Sequence, residues 1–249
     1  MRIAMSTAIS TLMSTAKSTG TAMTDGAALY KLLAWLSPGY PIGAYSYSHG
    51  FEYAVHAGHI ADADDCVRWL QDILERGAGV ADAILLAGAW RAADAGDAEQ
   101  LAGIAEYAAA FAGTGELALE SHAQGAAFLK ITSEAWNTPA LDLLTGCWDG
   151  PYAYPIVVAC AAAGHRIGLE DAAAGYLHAL AANLISAALR LVPLGQTDGQ
   201  KITAALEPVC LATAREAIAA PLTRISNACL IGEISSMKHE TQHTRLFRS

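Results

Sequence analysis

Hydrophobic and polar residues alternate with a helical period along most of this chain. The clearest case is the segment from Asp171 to Leu191, where apolar residues recur at steps of three or four. They are Leu177, Leu180, Leu184, Ala188 and Leu191. This spacing gives one side of a helix a continuous hydrocarbon face that belongs in a core. The opposite side carries a stripe of mostly polar residues at the same spacing, namely Tyr176, Ala179, Asn183, Ser186 and Arg190.

The same period, together with glycine and proline stop signals, predicts a series of further helices. They cover residues 27–36, 62–76, 80–95, 101–112, 117–136, 141–147, 156–165, 202–206 and 209–219, and a last helix begins at Pro221 and carries Ile225, Leu230, Ile234 and Met237 along one side. Residues 193–201 are rich in glycine and hydrogen-bonding groups, and we predict a loop there. No strand pair is predicted. The fold class is therefore all-α, a single-domain helical bundle of about 9–11 helices.

Two segments of the chain stand apart from this pattern. Residues 1–24 are mostly Ser, Thr, Ala and Met, and we expect a disordered leader ahead of a helical domain over 25–249. Within the predicted helix 117–136 and just before it, Glu116, Glu120 and Gln124 lie four residues apart. A polar stripe of this kind usually faces solvent, so we predict that these side chains are solvated.

Charge and cysteine usage exclude several classes of function. The formal net charge of −9 argues against a nucleic-acid partner, because binding to phosphates needs clustered Lys and Arg. The five cysteines are far apart and form no C-x-x-C pair, which fits free thiols in a reducing cytoplasm. No window of about eighteen uninterrupted apolar residues is free of Gly, His or charge, so we predict no transmembrane span.

Catalytic motifs are few in this sequence. There is no phosphate-binding Gly-x-x-x-x-Gly-Lys-Ser/Thr motif and no Gly-x-Ser-x-Gly, so we expect neither GTP hydrolysis nor a serine nucleophile in this chain. The stretch His239-Glu240-Thr241-Gln242-His243 does match H-E-x-x-H, which on a helix binds zinc and activates water. Lys238, Arg245 and Arg248 surround it with positive charge. A zinc metallohydrolase remains an alternative.

Three blocks of sequence resemble one known family. Leu191-Val192-Pro193-Leu194-Gly195-Gln196-Thr197-Asp198-Gly199-Gln200 looks like the signature of UreF, a non-enzymatic urease accessory protein. The blocks 36–52, with Pro41-Ile42-Gly43 and Ser48-His49-Gly50-Phe51-Glu52, and 239–249 resemble the family at the two ends of the chain. The resemblance implies a UreF-like helical domain that forms a homodimer and has no activity of its own.

The resemblance also implies partners and the residues that meet them. UreF-type proteins act as chaperones or adaptors that, with UreD/UreH and the GTPase UreG, mature apo-urease by GTP-dependent nickel insertion. The implied C-terminal segment, residues 238–249, becomes ordered on binding UreD/UreH. No tightly bound cofactor is expected, and nickel is present only in transit. The expected partner-binding residues are Tyr53, Gln196, Asp198, Gln200, Lys201, His239, Glu240, Arg245, Leu246, Phe247 and Arg248.

Two further hypotheses come from the residues themselves. Asn183, Ser186, Arg190, Gln196 and Asp198 would line a polar passage between apolar helices. A helical adaptor unrelated to nickel is the second alternative function, since a scaffold of alanine-rich helices serves any set of partners equally well.

Overall fold

A computed structural model describes residues 25–249. This part of the chain contains eleven α-helices and two short 3₁₀ turns joined by irregular connections, and it has no strand. The helices are α1 Gly26–Trp35, α2 Phe51–His56, α3 Ala63–Arg76, α4 Ala78–Ala95, α5 Ala98–Phe111, α6 Gly115–Ala135, α7 Pro139–Cys147, α8 Tyr154–Gly164, α9 Leu169–Leu191, α10 Gln196–Ala219 and α11 Leu230–His239. The predicted all-α fold is confirmed. The predicted leader, residues 1–24, lies outside the described residues.

Helix α8 is the centre of the core. Ten of its eleven residues are buried, and α4, α6, α7 and α9 pack around it. Its sequence is apolar on every side, and most residues after Val158 are alanine, so neighbouring helices can approach closely. Gly125 of α6 lies against the segment that leads into α8, because a Cβ there would lie 2.0 Å from the carbonyl oxygen of Tyr152.

Side-chain caps begin three of the predicted helices, α3 within one residue of its predicted start and α5 and α6 three and two residues earlier than predicted. Asp62 accepts a hydrogen bond from the amide of Asp65 at the start of α3, and Asp97 does the same for Gln100 at the start of α5. Thr114 accepts from the amide of Leu117 and so begins α6. Each cap satisfies a backbone donor that has no partner inside the helix.

The prediction of a loop over residues 193–201 is wrong beyond Gly195. Asp198 accepts a hydrogen bond from the amide of Gly195 at 3.0 Å, and this cap allows α10 to begin at Gln196. The two short helices predicted over 202–206 and 209–219 are one helix, which contains Pro208. A proline removes one backbone donor, and the packing of α10 on α3, α4 and α9 compensates for that loss.

The last predicted helix begins later than expected. A 3₁₀ turn covers Leu222–Arg224, an irregular stretch follows, and α11 begins only at Leu230. The short helix α2 was not predicted, because the aromatic and glycine-rich sequence around it carries no helical period.

Helix α9 is long and apolar enough to cross a membrane by length and mean hydropathy, but half of that apolar window is buried inside the protein. It packs along α10, as a core helix does.

Burial raises the pKa of the Cys66 and Cys210 thiols to about 11, and all five cysteines are free. These two thiols therefore behave as packing groups rather than as nucleophiles.

Candidate functional site: the C-terminal helix and the carboxylate notch

Helix α11 has its polar side inward and its apolar side outward. Its buried residues are Ser235, Ser236 and His239. Four of its five exposed residues are large and apolar, with Leu230 67%, Ile231 59%, Ile234 53% and Met237 49% exposed, and the fifth is Lys238. This is the reverse of the arrangement expected for a surface helix, whose apolar side normally faces the core.

Glycine at position 50 allows α11 to lie against α2. A Cβ at Gly50 would lie 2.7 Å from the amide nitrogen of Ser236, and the backbone there has φ +75°. Both the close approach and the left-handed conformation favour glycine. The hydroxyl of Ser236 bonds to that of Thr114 at 2.8 Å, so α11 is also fixed to the start of α6.

Three buried carboxylates lie beneath the end of α11, and we call them the carboxylate notch. They are Glu52 on α2 and Glu116 and Glu120 on α6, each 6–7% exposed. The prediction that Glu116, Glu120 and Gln124 are solvated is wrong. Gln124 is also buried and donates to Glu120 at 3.3 Å. Buried carboxylates need hydrogen-bond donors or counter-charges, and residues 239–249 supply most of them.

Glu52 accepts three hydrogen bonds from this segment. The amides of Leu246 and Phe247 donate to its two oxygens at 2.7 and 2.9 Å. The Nε2 atom of His239 lies 3.2 Å from one of the same oxygens. Bonds to a charged acceptor are stronger than bonds between neutral groups, so Glu52 is the main anchor of the chain end.

His239 and Arg245 both bind the carboxylate of Glu116. The Nδ1 atom of His239 lies 2.8 Å from one oxygen, and the Arg245 guanidinium donates to the other at 2.9 Å. His239 is fully buried and thus lies between the carboxylates of Glu52 and Glu116. Each ring nitrogen of His239 therefore faces a carboxylate oxygen of a different glutamate.

The final residues pair with the segment before α2. We call residues 240–249 the tail. The amide of Arg248 donates to the carbonyl of Ser46 at 2.8 Å, and the amide and hydroxyl of Ser48 donate to the carbonyl of Ser249. Phe247 is 4% exposed, and the Arg190 guanidinium lies 4.2 Å from its ring centroid. A cation over an aromatic ring is attracted by the ring's electrons.

Glu120 connects the notch to an internal cavity of about 150 Å³. It accepts from the Ser249 hydroxyl at 2.8 Å and also lines the cavity with His49, Asp82, Tyr176, Asn183 and Ser186. Burial raises the pKa of Asp82 to about 6, although the Tyr176 hydroxyl donates to this carboxyl at 2.7 Å. Burial opposes charge on His49, but the Glu120 carboxylate 3.5 Å away prevails and raises the pKa of His49.

The hypothesis of a polar passage holds for only part of its residues. Asn183 and Ser186 line this cavity. Arg190 binds the carbonyl of Tyr45 at 3.0 Å, at the edge of the same region. Gln196 and Asp198 lie beyond the end of α9 on the first turn of α10 and do not line it.

The predicted partner-binding residues lie in three places: at the start of α10, on α2, and at the end of α11 with the tail. Gln196, Gln200 and Lys201 are exposed on the first two turns of α10, and the hydrogen bonds of Asp198 are local, to Gly195 and Lys201. Tyr53 is half-buried on α2, beside Glu52. The remaining residues belong to the end of α11 and the tail. Of these, Glu240, Arg245, Leu246 and Arg248 are exposed, whereas His239 and Phe247 are buried.

The zinc hypothesis loses its geometric basis. Helix α11 ends at His239, so His239 and His243 do not lie on one face of a helix. Both ring nitrogens of His239 face carboxylates of this chain. Within residues 25–249, no group of three His, Cys, Asp or Glu side chains is arranged to hold a metal ion.

Sequence reasoning did not identify Glu116 and Glu120 as part of this site. Two acids one helical turn apart have the same pattern on a solvated face and under a docked segment, so the helix itself gives no signal. The available signal was the polar pair His239 and Arg245 at the end of α11 and in the tail, since both side chains require hydrogen-bond partners if this segment is docked.

A helical frame that holds its last helix by polar contacts, and leaves the apolar side of that helix exposed, is characteristic of proteins that act by binding other proteins.

Comparison with known proteins identifies the family. The UreF family model matches residues 60–207. A protein of Rhodopseudomonas palustris strain HaA2 named urease accessory protein UreF is 48% identical over 225 residues, 90% of this chain and 95% of the relative. A protein of the same name from Bradyrhizobium sp. strain BTAi1 is 47% identical over 90% of this chain and 93% of its own length. The chain belongs to the UreF family.

Proposed function

We propose that this protein is a non-catalytic helper in the maturation of urease. Its relatives carry the name urease accessory protein. The observation that carries the proposal is the inverted orientation of α11, whose apolar side is offered to a partner while its polar side is fixed to α2 and α6.

In this proposal α11 and the exposed part of the tail bind a UreD/UreH-type protein. Leu230, Ile231, Ile234 and Met237 form a stripe along α11 and are each 49–67% exposed. Burial of such a side chain from full exposure contributes about 1.5–3 kcal/mol, so covering the exposed part of all four contributes roughly 3–7 kcal/mol before the costs of association. The stripe therefore needs further contacts, such as those of the tail, to support a specific complex.

A UreG-type GTPase and apo-urease are the further partners in this proposal. Nickel insertion depends on GTP hydrolysis by the GTPase, and the present protein binds no cofactor tightly and meets nickel only in transit. The exposed polar residues Gln196, Gln200 and Lys201 at the start of α10 are candidates for the GTPase contact. The five free thiols fit a cytoplasmic protein.

We also propose that two copies associate through α1. Its outer side exposes Leu29, Tyr30 and Leu33, with 47%, 71% and 64% of each side chain accessible. The buried residues of α1 are Ala28, Leu32 and Trp35, so Leu29 and Leu33 lie outside the core of the single chain. An apolar helix face of this size is readily covered by a second copy.

A matched pair of variants tests both surfaces. Ile234→Asp should abolish capture of a UreD/UreH homologue in a pull-down and prevent urease activation, while the dimer remains intact by light scattering. Leu33→Asp should weaken the dimer and leave capture of that partner unchanged. The two substitutions introduce the same charge at similarly exposed positions, so each is the control for the other. Capture of the partner by Ile234→Asp at the level of the unmodified protein would refute the assignment of α11.

A further inference from the structure

We propose that the carboxylate notch, together with residues 46–48, is a recognition site for a short extended peptide of the type Arg-x-Phe-x-Ser. The tail fills this site as an exchangeable ligand that another copy of the same sequence can replace. The inference does not depend on the proposed function, because it rests only on the contacts within this chain.

The side chains of the tail alternate between inside and outside. Phe247 and Ser249 are buried and contact Arg190 and Glu120, and Arg245, although 39% of its side chain is exposed, turns its guanidinium to the buried Glu116. Leu246 between them is 62% exposed, and Arg248 is also exposed. This period of two is that of an extended strand.

The backbone of the tail is recognised along its length. The amides of Leu246 and Phe247 bind Glu52, the amide of Arg248 binds the carbonyl of Ser46, and the carbonyl of Ser249 accepts from Ser48. Main-chain bonds that fix an extended conformation, combined with pockets for alternate side chains, are the usual way in which proteins bind extended peptides.

The receptor side of the site is built without the tail. Glu52 follows Phe51, which is fully buried, and Glu116 precedes Leu117, which is 9% exposed. Helix α6 is further held by Phe128 in the core. Buried residues outside the tail therefore fix the backbone of α2 and α6, which carries the three carboxylates.

Residues 240–244, the first half of the tail, connect α11 to the extended residues 245–249. Their hydrogen bonds are local, such as those from the amide of Gln242 to the carbonyl of His239 and from the Gln242 side chain to the carbonyl of Thr244. The connection thus acts as a tether that raises the effective concentration of the tail at the notch. A free peptide of the same sequence can make the same contacts, in competition with the tethered tail.

The test uses the full-length chain with the double substitution Arg245→Ala/Phe247→Ala, which empties the site and leaves the receptor intact. The probe is a fluorescent peptide with the sequence of residues 240–249, followed by fluorescence anisotropy. We expect saturable binding to this variant and at least roughly tenfold weaker apparent binding to the unmodified protein, whose own tail competes. Adding Glu116→Gln to the variant should weaken peptide binding by roughly 10- to 100-fold, as expected for the loss of a charge-assisted bond.

Two peptides provide the matched control. A peptide with alanine at the inward positions 245 and 247 should not bind, whereas one with alanine at the outward positions 246 and 248 should keep its affinity within a few-fold. Equal affinity of both peptides, or no effect of Glu116→Gln, would overturn the proposal. If the double variant fails to fold, excess peptide added to the unmodified protein should instead accelerate hydrogen exchange at the amides of Leu246 and Phe247. Unchanged exchange in that experiment would also overturn it.

Discussion

Replacing Glu52 by glutamine tests whether one carboxylate anchors the chain end. Glutamine has nearly the same shape but only one acceptor oxygen. The NH₂ group that replaces the other oxygen would face a donor, either the Leu246 amide or the Phe247 amide together with His239. Hydrogen bonds to a charged group contribute about 1.5–3 kcal/mol each. Since at least one is lost and the others no longer meet a charge, we expect the free energy of tail release to fall by about 2–4 kcal/mol.

Hydrogen exchange measures this release directly. A fall of 2–4 kcal/mol corresponds to roughly 30- to 1000-fold faster exchange at the Leu246 and Phe247 amides. Amides in α8 should exchange at unchanged rates, because the core does not depend on Glu52. The control is Glu134→Gln, which makes the same chemical change at an exposed position on α6 and should leave the tail protected. If Leu246 and Phe247 in the Glu52→Gln variant stayed within twofold of their original exchange rates, the anchoring role of Glu52 would be refuted.

Two other predictions concern stability. Burial raises the pKa of Asp82 from 3.8 to about 6, so the folded state holds this proton more tightly than the unfolded state and stability falls as pH rises from about 4 to 6. The side chain in the Asp82→Asn variant cannot ionise, so this variant should be about 3 kcal/mol more stable than the unmodified protein at pH 7.5 and equally stable at pH 4. Urea unfolding at the two pH values measures the difference, and a difference that did not change with pH would contradict this reasoning. Gly50→Ala places a Cβ 2.7 Å from the Ser236 amide at a positive φ and should cost about 1–3 kcal/mol and detach α11. The control is Gly103→Ala on α5, where a Cβ meets open space; this substitution should stabilise the protein by about 0.5–1 kcal/mol. If the Gly50→Ala protein were as stable as this control, the close approach of Gly50 to Ser236 would be unimportant for stability.

Much of the helical framework follows from local sequence. Helix α3 occupies Ala63–Arg76, almost the predicted range, because Asp62 caps its start and an apolar residue recurs on each turn. The sequence predicts a loop at the start of α10 because Gly195 and Gly199 are common in loops, whereas in the structure Asp198 caps the helix there. Pro208 predicts a helix boundary because a proline removes a backbone donor, but the tertiary packing of α10 offsets that cost.

The candidate site was predictable only in part. The resemblance of residues 239–249 to one family draws attention to the tail, in which Leu246 is exposed beside α11 and Phe247 is buried. Their inward partners were not found, since Glu52 and Glu116 are separated from the tail by more than 120 residues. Whether the tail is ordered by a partner stays a prediction.

The sequence by itself determined that this chain is helical, where most of its helices lie, and to which family it belongs. Those properties depend on neighbours along the chain: caps, side-chain period and short motifs. Only the tertiary structure decided which face of each helix is buried. The period of Glu116 and Glu120 places both on one side of α6, and that of Ile234 and Met237 does the same on α11, but the period cannot say whether that side meets water, the core or a distant segment. The docking of His239 and Arg245 over the carboxylates made the acidic face internal and left the apolar face of α11 outside.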